Sequence, residues 1–200
     1  MYLFFETIRY QNGILENVPY HQARMNRTLK VFEKNTSIFI NEIPLEFDFK
    51  MDEVYKIRIL YNVEGNYKVE YELYKLKKIN TVAISLINQE EYSFKYTNRH
   101  WLNEALEKAG TDEIIIVKDE IIKDGNYANL VFYNGTEWHT PKNPLLLGTH
   151  RARLIDENKI IQKEIKIMDL ANYEKVKFIN AMMLWDESPE IAINNVEINK

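Results

Sequence analysis

Two ten-residue runs, VYKIRILYNV (Val54–Val63) and YKVEYELYKL (Tyr67–Leu76), are separated only by Glu-Gly-Asn. Both alternate apolar with charged or polar residues over much of their length. Alternation at period two places every second side chain on one face of an extended chain. A three-residue link containing glycine leaves room only to reverse direction, so the pair predicts an antiparallel hairpin. An isolated hairpin is marginal in water, so neighbouring segments must cover its apolar face. Upstream, Tyr2 to Tyr10 is rich in aromatic and branched residues and predicts a strand, with QNG (Gln11 to Gly13) as its turn. Met25, Leu29 and Phe32 then recur at helical spacing, with Pro19 near the first turn of that helix.

The remainder of the chain mixes the two periods. Asn80 to Ile87 predicts a strand, and Trp101, Leu102, Ala105, Leu106 and Ala109 form one helical face closed by Gly110. Further strands are expected at Glu113 to Val117, Ala128 to Tyr133 and Thr136 to Thr140, the last two joined by an Asn134-Gly135 turn. A helix is expected to begin near Gly148-Thr149, and two more strands near Val176 to Met182 and Glu190 to Val196. Antiparallel signals dominate, so the expected class is α+β. The chain divides into a smaller N-terminal lobe (1–92) and a larger C-terminal lobe (93–200) that meet near Gln89 to Tyr96.

Composition narrows the function. A net charge of -4 supplies no basic excess for nucleic acid, and the absence of cysteine excludes disulfides, thiol catalysis and zinc–thiolate sites. The apolar runs are too short to span a membrane, and the N-terminus lacks the basic start of a signal peptide, which makes a cytoplasmic protein the expectation. The four histidines, His21, His100, His139 and His150, show no metal-ligand spacing.

Four places hold residues that packing explains poorly. Lys95 precedes the expected N-cap of the central helix (Thr97 or Asn98). The positive helix end and Arg99 would disfavour its ammonium form and favour a nucleophile; an exposed lysine is the ordinary alternative. Gly148-Thr149 leads from an apolar stretch into a helix, where N–H groups and a hydroxyl suit a phosphate, or where Thr149 simply caps the helix. Arg24 borders the apolar face of the first helix and suits either an anion or a solvated edge. Asp124, in an Asp-Gly pair, suits either a turn or a carboxylate aimed at a basic ring nitrogen.

Taken together, FETIRYQNG…PYHQARMNRT, FKYTNRHWLNEAL, DGNYANLVFYNG…TP and LLLGTHRARL resemble successive signature stretches of the class IV aminotransferase-like family. These are pyridoxal-phosphate (PLP) enzymes of fold type IV, and the resemblance runs from Phe4 to about Ala181. The K-x-x-N-R of Lys95, Asn98 and Arg99 is most similar to the 4-amino-4-deoxychorismate lyase branch. The resemblance implies a D-amino-acid aminotransferase-like fold in shortened form, with the cofactor between the lobes, and a homodimer.

Residue by residue, the resemblance makes Lys95 the lysine that holds PLP covalently and moves protons. Arg24 and Thr149, with Gly148, become phosphate ligands, and Asn180 and Ala181 a looser second phosphate contact. Asp124 becomes the partner of the pyridine nitrogen, and Asn129 the asparagine of the strand that follows it. The implied activity is the lyase reaction, which yields 4-aminobenzoate and pyruvate. Alternatives are transamination of branched-chain or D-amino acids, or PLP binding without catalysis. Tyr96, Arg99 and Arg151 are further candidates to line the site. Three features depart from the family pattern. Asp124 stands where glutamate is usual, and the region of His100 lacks a tyrosine of the branched-chain branch. The chain also starts later than longer members, whose extra segment helps to close the substrate pocket.

Overall fold

The alternation at 54–76 folds as expected. A computed structural model describes residues 2–32, 37–88 and 92–197, so Gln89, Glu90 and Glu91 of the expected lobe junction (Gln89 to Tyr96) lie outside the described residues. The described chain forms two compact units, one of residues 1–76 and 94–98, the other of 77–93 and 99–200.

In the first unit, β1 (Phe4–Gln11) turns through Asn12 and Gly13, both at positive φ, into the short β2 (Ile14–Leu15). Helix α1 (Val18–Val31) follows, with proline in its first turn. Strands β3 (Tyr55–Tyr61) and β4 (Tyr67–Leu73) complete an antiparallel sheet in the order β2-β1-β3-β4. Tyr55, Ile57, Ile59 and Tyr61 of β3 are buried while Lys56, Arg58 and Leu60 between them are half-buried, so one face of this strand meets the core. That core joins them to Phe4 and Ile8 of β1 and to Met25 and Leu29 of α1.

The second unit holds two sheets. Strand β5 (Val82–Leu86) leads through α2 (His100–Ala109) to β6 (Glu113–Lys118), which lies parallel to β5. A parallel neighbour needs a crossover, and α2 is that crossover; it ends at Gly110, left-handed at φ 68°. The antiparallel β7 (Ile121–Ile122) closes one side of this sheet. Strands β8 (Asn129–Tyr133) and β9 (Trp138–Pro141) form a hairpin, α3 (Thr149–Asp156) follows, and β10 (Ile161–Lys163) pairs in parallel with β9.

Strands β11 (Lys175–Ile179) and β12 (Glu190–Ala192) extend the second sheet in the order β10-β9-β8-β11-β12. The terminal β13 (Val196–Glu197) returns to β5. Ile84, Ile115 and Val117 from one sheet pack with Leu130, Phe132, Val176 and Phe178 from the other in a single core. Strands and helices are therefore mixed, as the α+β expectation required. The parallel pairings were not among the signals read from local pattern. Among the described residues no helix is long and apolar enough to cross a membrane.

Candidate active site

In the first unit, α1 carries a mixed inner face. Met25 and Leu29 are buried as their spacing demands, but His21, Arg24 and Thr28 are buried beside them. The reason is Glu6. It lies on β1 between Phe4 and Ile8, on the side chain's inward phase, and is fully buried. Its Oε1 accepts from Arg24 Nε at 2.9 Å, and its Oε2 accepts from both Arg24 Nη2 and His21 Nδ1, the latter at 2.6 Å.

Burial alone would raise the Glu6 carboxyl, but the Arg24 charge and the hydrogen bonds from His21 and Arg24 outweigh it and hold it at about 2. Burial pushes His21 down against the pull of Glu6, with Arg24 and Lys95 adding to the downward push. His21 is thus neutral at pH 7, and because ionised Glu6 can only accept, Nδ1 carries the proton. Arg24 is therefore neither an exposed helix edge nor a lone cation. It is a buried arginine oriented by a carboxylate along one side of its guanidinium.

Lys95 belongs to this same unit. Helix α2 begins at His100 with Arg99 as its N-cap, one residue beyond the later of the expected caps. The segment that carries Lys95 is instead a rung beside β1: Phe5 N–H donates to Lys95 O at 3.0 Å, Thr97 N–H donates to Leu3 O at 2.8 Å, and Tyr96 bridges Phe4. Phe94 and Tyr96 pack their rings on Phe4, so the residue between them faces the other way. Lys95 Nζ stands 4.7 Å from the centroid of the Phe5 ring, which attracts an ammonium. Tyr96, a candidate to line the site, is a core side chain on the Phe4 ring.

The second unit builds a different set. Asp124 is buried in the stretch between β7 and β8. Its Oδ1 accepts from Asn129 Nδ2 at 2.7 Å and its Oδ2 from Leu146 N–H at 2.9 Å. Burial raises its carboxyl to about 7, in spite of those bonds and of the positive Arg151. Asn129 Nδ2 also donates to Leu146 O at 2.9 Å, so this one amide ties strand β8 to the segment that enters α3.

Gly148 completes the arrangement. Its backbone is extended (φ -69°, ψ 144°), a conformation open to any residue. A Cβ there would stand 1.9 Å from Asn129 Oδ1, so glycine is required by contact, not by backbone freedom. Gly148→Ala should cost about 1–3 kcal/mol by overpacking. The cost should shrink in the Asn129→Ala background, where the obstructing amide is gone. Equal unfolding midpoints for Gly148→Ala and the parent chain would refute this contact.

Gly148, not Thr149, is the N-cap of α3; Thr149 is its first residue and is buried, and no side chain caps this end. Asn180 follows β11. Its carbonyl accepts from His150 Nδ1 at 2.8 Å and its Oδ1 accepts from Met182 N–H at 2.9 Å, with Ala181 half-buried between.

The two arginines named as candidates to line the site, Arg151 and Arg99, both make structural contacts within the second unit. Arg151 Nε donates to Thr140 Oγ1 at 3.1 Å and its Nη2 to Pro141 O at 2.8 Å, which fixes α3 against β9. Arg99 donates to Tyr92 Oη at 2.6 Å and to Asn126 O, its guanidinium lying 5.2 Å and 4.4 Å from the Tyr92 and Tyr127 rings. Glu6 and His150 are the residues that sequence reasoning missed. The inward phase of Glu6 on β1 was a usable signal; the contact of His150 with a carbonyl 30 residues away was not.

Each unit thus concentrates one kind of chemistry. The first gathers an amine and an oriented guanidinium; the second gathers a buried acid and a glycine-led helix start. The protein-family model for amino-transferase class IV matches residues 3–186. An uncharacterised protein of Haemophilus influenzae is 34% identical over 91% of this chain and 98% of its own. A solved structure from Haemophilus somnus 129PT, named provisionally as a 4-amino-4-deoxychorismate lyase, is 32% identical. It covers 91% of this chain and 97% of that one, with a TM-score of 0.79. An aminotransferase from Brucella abortus bound to the cofactor PLP shares the fold at 15% identity, covering 94% and 80% of the two chains, with a TM-score of 0.68.

Proposed function

Because this chain belongs to the class IV amino-transferase family of enzymes, we propose that it uses PLP and acts as a 4-amino-4-deoxychorismate lyase, releasing 4-aminobenzoate and pyruvate. The observation that carries the cofactor is the state of Asp124. A carboxylate offers about four acceptor positions, and Asn129 and Leu146 take one on each oxygen. The others can meet a ring N–H. Such a positive donor would reverse the effect of burial and keep this carboxyl ionised at neutral pH.

Each unit, taken by itself, also holds donors of the kind that a phosphate accepts. Arg24 supplies a guanidinium already fixed by Glu6, and the first turn of α3 supplies backbone N–H groups after Gly148. Thr149, Asn180 and Ala181 are assigned to an anion at that helix start. When bound, PLP supplies an electron sink for the charge that develops at the substrate α-carbon. Lys95 Nζ is the attachment point and then, as the free amine, the base that takes the α-proton and returns one to the leaving group. Asn129 holds Asp124 in place during this exchange. The substrate's atoms are fully accounted for by 4-aminobenzoate and pyruvate, so this lyase reaction needs no co-substrate.

That balance sets the test. Purified protein loaded with PLP is expected to form 4-aminobenzoate from 4-amino-4-deoxychorismate without any 2-oxo acid. The choice of substrate is supported by the 32% identity to the Haemophilus somnus protein of that name. Product formation that appears only as amino transfer to an added 2-oxo acid would replace the lyase reading with transamination.

A further inference from the structure

His150 is the second residue of α3 and is 2% exposed. Its Nδ1 lies 2.8 Å from the backbone carbonyl of Asn180. A carbonyl can only accept, so Nδ1 bears the hydrogen. Burial pushes this imidazole down to about 4, which leaves it neutral and its Nε2 without a proton. Nε2 is buried and meets no hydrogen-bond partner among the described residues. An apolar side chain of similar volume would fill the same space without an unpaired ring nitrogen. What imidazole contributes here is therefore the Nδ1 bond.

That bond joins two places that are far apart in sequence. On one side is the glycine-led start of α3, Gly148-Thr149. On the other is the turn after β11, where Asn180 Oδ1 accepts from Met182 N–H at 2.9 Å and Asn180 O also accepts from Met183 N–H at 3.2 Å. Asn180 Nδ2 reaches Tyr127 O at 3.3 Å. The turn is organised around Asn180, and Asn180 is anchored to α3 by His150.

We propose that His150 is a positioning residue that latches the 180–183 turn to the first turn of α3, so that the two form a single anion-binding element. This rests on the PLP reading, which assigns Gly148, Thr149, Asn180 and Ala181 to the cofactor phosphate, and it assigns no contact with the cofactor to His150 itself.

Two variants separate the latch from mere packing. His150→Leu keeps the bulk and removes the donor. His150→Asn places an amide N–H at the δ position and can restore it. In the cofactor-free chain, amide exchange at Met182 and Met183 is expected to quicken about tenfold in His150→Leu, the loss of roughly one hydrogen bond, and to recover in His150→Asn. In the loaded protein, His150→Leu should weaken affinity for PLP by a similar factor while affinity for pyridoxal, which lacks the phosphate, stays unchanged. Unchanged exchange in His150→Leu overturns the latch, and equal losses for PLP and pyridoxal overturn its role in anion binding. Wild-type protein that takes up neither compound sinks the PLP reading, and with it the anion role; the exchange arm judges the latch itself without any ligand.

Discussion

Replacing Lys95 with alanine is expected to abolish covalent retention of PLP and to lower turnover about a thousandfold, within the range that one positioned proton-transfer group contributes. The fold should survive, because the segment is held by its backbone. Lys95 O accepts from Phe5 N–H, Thr97 N–H donates to Leu3 O, and the neighbouring rings of Phe94 and Tyr96 pack on Phe4. The side chain approaches the Phe5 ring and adds a positive charge near His21. Lys95→Arg is the sharper control. It keeps a cation for that ring, yet a guanidinium does not release its proton and cannot serve as the free base. Both variants should therefore leave gel filtration without the visible absorption of attached cofactor, while their far-ultraviolet circular dichroism matches the parent. Turnover retained in Lys95→Ala would remove this residue from the reaction.

The second large effect concerns Glu6. Truncation to alanine leaves the Arg24 guanidinium and the His21 Nδ1–H buried with their shared acceptor gone. Breaking one side of such a pair costs about 3–5 kcal/mol. Chemical denaturation of the cofactor-free chain should show that loss, and Glu6→Gln, which keeps one acceptor oxygen, should lose less. Removing both partners in Glu6→Leu/Arg24→Met should recover much of it, because no charge is then left unpaired.

The pH dependence has a definite sign. The carboxyl is held at about 2 against an ordinary value of 4.5. Its contribution is complete above pH 4.5 and is lost as pH falls towards 2. Glu6→Ala should lack that part of the acid transition. A Glu6→Ala chain within about 1 kcal/mol of the parent at neutral pH would contradict the pairing as a source of stability.

What could be read from the residues was local. The β3–β4 hairpin, α1, and α2 with its Gly110 end announce themselves by period and cap. The charged candidates are another matter. Arg24 could be placed at the rim of an apolar helix face, yet its partner lies on β1, 18 residues earlier, and no spacing rule connects a helix position to a strand position. The alternation Phe4, Glu6, Ile8 did contain the clue that an acid points inward.

Lys95 shows the opposite limit. Its neighbours suggested the approach to a helix, but an antiparallel bridge to Phe4 claims the segment, and a bridge across some 90 residues leaves no local trace. The parallel pairing of β5 with β6 is hidden for a similar reason, since crossovers leave no turn signature. Asp124 and Asn129 are five residues apart in sequence and joined by a hydrogen bond. The donor from Leu146, by contrast, comes from a stretch that reads only as an apolar approach to α3.

The first unit is assembled from two separate lengths of chain, 1–76 and 94–98, and the second resumes on both sides of the shorter one. A fragment ending at residue 76 would lack Phe94 and Tyr96 and would uncover the buried Phe4 ring. A fragment beginning at residue 99 would lack the lysine altogether. A single cut after residue 98 keeps the first unit together with Lys95 only by taking 77–93, and β5 with it, from the second. Exchange of the first unit alone therefore has to carry five residues, Phe94 to Asn98, as a separate inheritance.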